Sequence, residues 1–271
     1  MFRERMTPRQ WASARLERLE DRLERLEDLS ISKVIPSALT LLGLCAGLTA
    51  IRFVLLEQWK GAVIALFCAM VFDMLDGRAA RRLGADSRFG AQLDSLADLV
   101  SFGVAPTIIA YTWSLWAMGD AGWIAALIFC ACSAIRLARF NVQAARDEGA
   151  THSFPYFTGL PTPAAACVML LPLLLDFEFG HAFFREPIFS MALIAFTSVL
   201  MVSRVPTPSL KHTELSQHAR IAIAILTIVL VPFAILLPWA TFIIGICVYL
   251  AAIPVVIVKL NGELAEQRAK P

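Results

Sequence analysis

The chain has 271 residues, of which 58% are hydrophobic and 17% are charged, and its mean hydropathy is +0.67. This excludes an ordinary water-soluble domain, in which apolar residues make up about half of the chain. The net charge of +2 comes without a basic patch interleaved with aromatic residues, so we also expect no nucleic acid partner. The composition predicts one integral membrane domain with several spanning helices.

The N-terminal segment predicts an amphipathic cytoplasmic helix within residues 1–30. Residues 15–28 read RLERLED twice, which is a heptad repeat with leucines at its a and d positions. Two heptads are too short to form a stable helix unaided. The helix therefore either pairs with a second copy, giving a homodimer, or lies on the membrane surface.

Apolar runs separated by Pro, Gly and charged residues predict an all-α, polytopic helical bundle over residues 31–260, followed by a cytoplasmic tail at 261–271. The runs give eight candidate transmembrane spans: 34–56, 61–81, 90–117, 122–143, 159–176, 187–203, 219–237 and 239–258. Because the break between the last two is very short, six spans with the same sidedness is the alternative.

The distribution of positive charge predicts the orientation of this bundle. Of the 24 Lys and Arg residues, only Arg52, Lys60 and Arg185 fall in stretches assigned to the outer side. By the positive-inside rule, both termini and the breaks 82–89, 144–158 and 204–218 face the cytoplasm. We expect a bacterial inner membrane protein with its active site on that side.

Four carboxylates lie within or beside the second and third predicted spans. Asp73 and Asp76 are three residues apart and Asp94 and Asp98 four apart, so each pair occupies one helical face. Ionised groups at membrane depth need a partner. One alternative is an ion-pair cluster with the arginines Arg78, Arg81, Arg82 and Arg88.

Divalent cations neutralise converging carboxylates most directly. Carboxylate oxygens suit Mg²⁺ or Mn²⁺ better than zinc, and two such cations point to chemistry at phosphorus. Glycines beside the acidic faces, Gly77 and Gly90, would let a ligand approach the backbone, although close helix packing explains them equally well.

The residues Asp73, Asp76, Gly77, Ala80, Arg81, Gly90, Asp94 and Asp98 match the pattern DxxDGxxARx8GxxxDxxxD without a departure. This pattern resembles the CDP-alcohol phosphotransferase family. The resemblance implies a membrane enzyme that attacks a CDP-linked lipid with an alcohol, releases CMP and uses two divalent cations. It further implies the following roles: Asp73, Asp76 and Asp94 as metal ligands, Asp98 as general base that also touches a metal, and Asp73, Gly77, Ala80, Arg81 and Gly90 as the border of the CDP moiety.

Two more stretches, AIRLARFN at 134–141 and FTGLPTPAAA at 157–166, resemble the membrane-embedded phosphatidylserine synthase branch of that family. That branch implies CDP-diacylglycerol as donor and L-serine as acceptor. Arg136 and Arg139 share one helical face and could hold a carboxylate or the substrate phosphates; membrane anchoring is the alternative. Gly159 and Pro161 either shape the alcohol pocket or simply begin a helix.

Other functions remain open on the sequence alone. Glycerol 3-phosphate, inositol phosphate or choline would keep the mechanism and change the acceptor. A cation transporter would also use intramembrane carboxylates, but their position near the cytoplasmic helix ends argues against a path through the membrane. Scattered histidines at His152, His181, His212 and His218 lack metal-ligand spacing.

Overall fold

The computed structural model describes residues 31–85, 87–147, 157–203, 206–207 and 236–269. The predicted heptad helix, the span at 219–237 and most of the breaks at 144–158 and 204–218 lie outside these ranges, as do His152, His212 and His218. The fold described below therefore concerns the membrane domain.

The described chain is helical, as the apolar periodicity predicts, apart from one pair of two-residue strands. The elements in order are α1 (Ile31–Leu55), α2 (Trp59–Leu83), α3 (Arg88–Asp98), a π-helical segment (Leu99–Val104), α4 (Ala105–Trp113), a 3-10 turn (Leu115–Met118), α5 (Asp120–Asp147), β1 (Phe157–Thr158), α6 (Thr162–Met169), α7 (Leu171–Phe179), a second 3-10 turn (Ala182–Arg185), α8 (Pro187–Val202), β2 (Pro206–Thr207) and α9 (Pro238–Ala269). β1 and β2 are antiparallel, with Phe157 opposite Thr207.

Several of these helices are long and apolar enough to cross a bilayer. Three such stretches are Val34–Leu55, Arg88–Trp113 and Asp120–Gln143, and the bent pair formed by α6 and α7 makes a fourth if it is one span. The apolar parts of α8 and α9 are shorter. The protein is thus a multi-pass membrane protein, whereas the count of eight spans stays a prediction.

The predicted span at 159–176 differs from the structure, which divides it into two helices. α6 begins only at Thr162, and α7 follows it at an angle of 42° after a break at Leu170. Pro172 stands in the first turn of α7, where it has no N–H to continue the hydrogen-bond ladder of α6. The periodicity of apolar residues does not predict this break, because it does not depend on the missing N–H of Pro172.

Two other predicted spans also differ from the observed helix boundaries. The predicted span at 90–117 is a succession of α3, the π-helical segment and α4, and it ends at Trp113. The last predicted span ends at 258, but α9 continues to Ala269, across the boundary drawn between membrane domain and tail.

α1 and α2 form an antiparallel hairpin that provides the frame for the acidic residues. The two helices pack more extensively than any other described helix pair. A Cβ atom on Gly61 would lie 3.2 Å from the Phe53 ring, and one on Gly43 would lie 3.4 Å from Phe72 Cβ, so small residues allow close approach near both ends.

The largest buried cluster joins this hairpin to α4, α6, α7 and α9. Its members include the fully buried Leu66, Ile109 and Leu174. Many large apolar side chains instead point outward, as expected for surfaces that face lipid: Leu48, Ile64, Ile124, Ile128, Phe196 and Val199.

Candidate active site

The acidic residues predicted to converge do so where α2 and α3 meet. One carboxylate oxygen from each of Asp73, Asp76 and Asp94 lies within 4.8 Å of the others. The Asp98 carboxyl group interacts with that of Asp73 and lines the same cavity. The spacings of three and four residues place each pair on the helix face that turns toward the other helix. The sequence therefore predicted this cluster correctly.

These four carboxyl groups line a cavity of about 180 Å³, a volume that includes open solvent. The apolar and polar residues that complete its wall come from α1, α2, α3 and the π-helical segment: Thr40, Gly43, Ala69, Ala97, Ser101 and Phe102. Asp76 is buried, with 5% of its surface exposed. A small molecule or ion that enters this cavity would meet mainly carboxylate oxygens.

Thr40 links α1 directly to the acidic cluster. Its Oγ1 donates a hydrogen bond of 2.6 Å to Asp76 Oδ2. Thr40 itself is 6% exposed, so this bond lies away from bulk water and is stronger than a solvated one. The bond fixes which oxygen of Asp76 remains free to face Asp73 and Asp94.

The π-helical segment begins directly after Asp98 and brings the chain unusually close to α1. A Cβ atom on Gly47 would lie 2.8 Å from Ser101 Cα, closer than real Cβ contacts. Ser101 Oγ also donates to the Gly43 carbonyl oxygen at 3.3 Å. Isolated π-helical turns occur often at functional sites, and this one sets the position of Asp98 relative to α1.

The donor set fits divalent cations. Carboxylates this close repel one another unless a cation or shared protons lie between them. Their hard oxygen donors match Mg²⁺ or Mn²⁺. Asp73, Asp76 and Asp94 could thus hold a metal ion, with Asp98 beside them.

The glycine, alanine and arginine positions of the motif lie on α2 and α3 beside the acidic residues, outside the wall of the cavity. Arg81 is exposed, and a Cβ atom on Gly77 would lie 3.4 Å from its Nη1, so the guanidinium group reaches back over Gly77. Its charge acts on Asp76. The neighbouring Ala80 accepts a hydrogen bond from Ala85 at its carbonyl oxygen as α2 ends.

Gly90 lies in the first turn of α3, on the approach to Asp94. Its N–H donates a 3.0 Å hydrogen bond to the Oγ of Ser87, the N-cap of α3. This cap satisfies one of the free N–H groups of the first turn. Arg78 and Arg82 are exposed at the end of α2.

The two arginines predicted to bind the acceptor have different surroundings. Arg136 Nη1 donates to Thr162 Oγ1 at 2.8 Å, and its charge interacts with Asp98. Arg139 is exposed, and its Nη1 donates to the Val202 carbonyl oxygen at 2.7 Å. Of the pair, Arg136 is the one connected to the acidic cluster.

The segment before α6 positions Thr162, the hydrogen-bond partner of Arg136. Gly159 has a φ of +80°, and a Cβ atom there would lie 2.7 Å from the Met201 carbonyl oxygen, so only glycine fits. Pro161 is the N-cap of α6, and Thr162 follows it fully buried. This geometry orients Thr162 toward Arg136 and leaves Gly159 as a packing residue against α8.

Sequence reasoning missed Thr40, Ser101 and Thr162 as parts of the site. Thr40 lies in α1 and Thr162 in the stretch FTGLPTPAAA, but nothing in the local pattern separates them from ordinary helix residues. Their partners lie 36 and 26 residues away in the chain. His181, the one described histidine, is exposed on the second 3-10 turn.

Comparison with known proteins agrees with this geometry. A family model described as CDP-alcohol phosphatidyltransferase matches residues 33–203. A CDP-diacylglycerol–serine O-phosphatidyltransferase of Mycobacterium leprae is 38% identical over 223 residues, covering 79% of this chain and 73% of its own. Proteins of the same name from Bacillus subtilis and Methanocaldococcus jannaschii are 35% identical over 178 residues (65% of this chain, 91% of theirs) and 38% identical over 143 residues (52% and 62%). Since the matched region contains every helix that lines the acidic cavity, the protein belongs to the CDP-alcohol phosphatidyltransferase family.

Proposed function

We propose that the protein transfers the phosphatidyl group of CDP-diacylglycerol to the hydroxyl group of L-serine, giving phosphatidylserine and CMP. The observation that carries this proposal is the convergence of Asp73, Asp76, Asp94 and Asp98 on one cavity, in a chain whose curated relatives bear the name of that activity. L-serine as acceptor rests on those relatives and on the AIRLARFN and FTGLPTPAAA stretches.

Asp73, Asp76 and Asp94 would hold two divalent cations, Mg²⁺ or Mn²⁺, with Asp98 touching one of them. Such cations offset the negative charge of the pyrophosphate and of the leaving CMP. The chain's own contribution is to fix the ligands: Thr40 orients Asp76, and the π-helical segment fixes Asp98.

Asp98 is the proposed general base. The serine hydroxyl oxygen forms a new bond to the phosphorus that carries diacylglycerol, the bond from that phosphorus to the CMP oxygen breaks, and the hydroxyl proton passes to Asp98. A hydroxyl group is a weak nucleophile at neutral pH, so a carboxylate that accepts its proton during attack lowers the barrier.

The rest of the motif would border the CDP moiety. Gly77 and Gly90 carry no side chain on the helices that hold the acidic residues, Ala80 is small, and Arg81 offers a guanidinium group beside Asp76 for a phosphate. Arg136 and Arg139, with Gly159 and Pro161, are the residues proposed for the acceptor side.

We further infer that the active site and both termini face the cytoplasm in a bacterial inner membrane, because few Lys and Arg residues fall on the other side. The RLERLED repeat supports a homodimer.

The decisive experiment measures CMP release by purified protein with CDP-diacylglycerol and Mn²⁺, using L-serine, glycerol 3-phosphate, inositol phosphate and choline as acceptors. We expect release with L-serine, abolished by EDTA and restored by Mn²⁺ or Mg²⁺. Release with another acceptor would overturn serine but keep the reaction class. No release with any acceptor would favour the cation transporter.

A further inference from the structure

Arg136 has a buried donor that no residue in the described part of the chain uses. Its Nη1 is occupied by Thr162, but its Nε–H is buried and no described residue accepts its proton. The guanidinium charge interacts with Asp98, the proposed base, and with Tyr249. Arg136 therefore has a buried, charged donor, unpartnered among the described residues, on a side chain that interacts with Asp98.

Tyr249, on α9, has a second buried donor without a partner among the described residues. Its ring packs against the apolar cluster that contains Phe129, Met169 and Ile194, which holds the side chain in place. Its hydroxyl group is buried and also lacks a hydrogen-bond partner among the described residues. Tyr249 lies beyond residue 203, where the match to the family model ends.

Arg136 and Tyr249 interact electrostatically, and each has a buried polar atom without a partner among the described residues. More than nine in ten buried polar groups in folded proteins have a partner, and exceptions need an explanation. The Nε–H of Arg136 can only donate and the Tyr249 hydroxyl group can donate, so one acceptor can serve both, and the positive charge of Arg136 favours an anion.

We propose that Arg136 and Tyr249 together bind the carboxylate of the acceptor amino acid. The inference rests on the proposed function, because it assigns the acceptor's carboxylate to a site beside Asp98. L-serine carries a carboxylate a short distance from its hydroxyl group, so binding the carboxylate at Arg136 presents the hydroxyl to Asp98. Arg136 is the arginine of the pair whose charge acts on Asp98, so we assign the carboxylate to it and not to Arg139, whose Nη1 donates to the Val202 carbonyl oxygen.

A phosphate of the donor lipid is also an anion that Arg136 and Tyr249 can bind. Kinetic measurements distinguish a bound serine carboxylate from a bound lipid phosphate. Tyr249→Phe removes only the hydroxyl group. We expect the KM for L-serine to rise about tenfold, the loss typical of one hydrogen bond to a charged group, with less than about twofold change in the KM for CDP-diacylglycerol or in kcat. L-serinamide, which lacks the carboxylate, should be a correspondingly poor acceptor for the unmodified protein.

Tyr111→Phe is the matched control, because Tyr111 packs on the same apolar cluster but stacks edge-on with Trp123. It should leave the KM for L-serine unchanged. Arg136→Lys keeps the charge but lacks the Nε–H geometry, and it should raise the same KM at least as much as Tyr249→Phe.

An unchanged KM for L-serine in Tyr249→Phe, or a rise confined to the KM for CDP-diacylglycerol, would overturn the carboxylate site while leaving phosphatidylserine synthesis intact. Failure of the unmodified protein to use L-serine would overturn both proposals. Apparent melting temperatures of all variants in the same detergent identify any KM change caused by misfolding.

Discussion

Along α2, residues 59–69 and residues 70–83 have different surroundings. In the first half the buried side chains are all apolar: Ala62, Val63, Ala65, Leu66 and Ala69. In the second half the buried residue is Asp76, which accepts a hydrogen bond from Thr40. Ala62, Val63, Ala65 and Leu66 lie in the main apolar cluster, whereas Ala69, Asp73 and Asp76 line the acidic cavity.

This difference separates stability from chemistry within one helix. Burial of apolar surface stabilises the α1–α2 hairpin, whereas converging carboxylates destabilise the second half until a cation neutralises them. The apolar half holds the acidic half in position because a continuous helix transmits its orientation from one end to the other. Variants in the two halves should therefore affect different measurements.

The largest effect is expected from Asp94→Asn, a change on α3 in the acidic cavity that the second half of α2 also lines. The variant should insert and fold, since its packing is unchanged, but lose turnover on the order of a thousandfold because a metal ligand loses its charge. CMP release and the apparent melting temperature measure the two properties. Asp120→Asn, at the exposed start of α5, is the control. Normal turnover in Asp94→Asn would refute the metal assignment.

Leu66→Ala tests the other half of α2, because it alters an apolar side chain within residues 59–69. Leu66 is fully buried, so the cavity left behind should destabilise the fold by about 3 kcal/mol. A lowered melting temperature should accompany normal turnover per folded molecule. Ile64→Ala, on the same helix but 54% exposed, should change the melting temperature much less. Equal shifts for both variants would show that this half is not the stabilising one.

Thr40→Val should give the smallest effect, and it tests the contact between α1 and the second half of α2. It removes the hydrogen bond to Asp76, so we expect turnover to fall roughly fivefold and the Mn²⁺ concentration for half-maximal activity to rise. Thr49→Val is the matched control, because Thr49 Oγ1 donates only to the Cys45 carbonyl oxygen of its own helix. Identical Mn²⁺ dependence in both variants would remove Thr40 from the site.

Much of the acidic site could be predicted because its information is local in the chain. Asp73 with Asp76, and Asp94 with Asp98, are spaced by one helical turn, and a short break makes their helices neighbours. The spans predicted at 34–56, 61–81, 122–143 and 187–203 correspond to single helices for the same reason.

What could not be predicted depends on long-range packing or on backbone detail. Tyr249 and Arg136 are brought together by the fold, and no periodicity relates them. The π-helical segment after Asp98 interrupts a pattern that reads as one continuous helix, and its close contact with Gly47 comes from tertiary structure. A 3.6-residue period carries no signal for either feature.

The order of α1 and α2 in the chain has a consequence for biosynthesis. A ribosome releases Thr40 before Asp76, and both before Asp94 and Asp98. Asp76 can therefore take up its hydrogen bond from Thr40 as soon as the α1–α2 hairpin forms, while Asp94 and Asp98 are still to be made. The buried carboxyl group of the hairpin thus has a hydrogen-bond donor before the second acidic pair arrives.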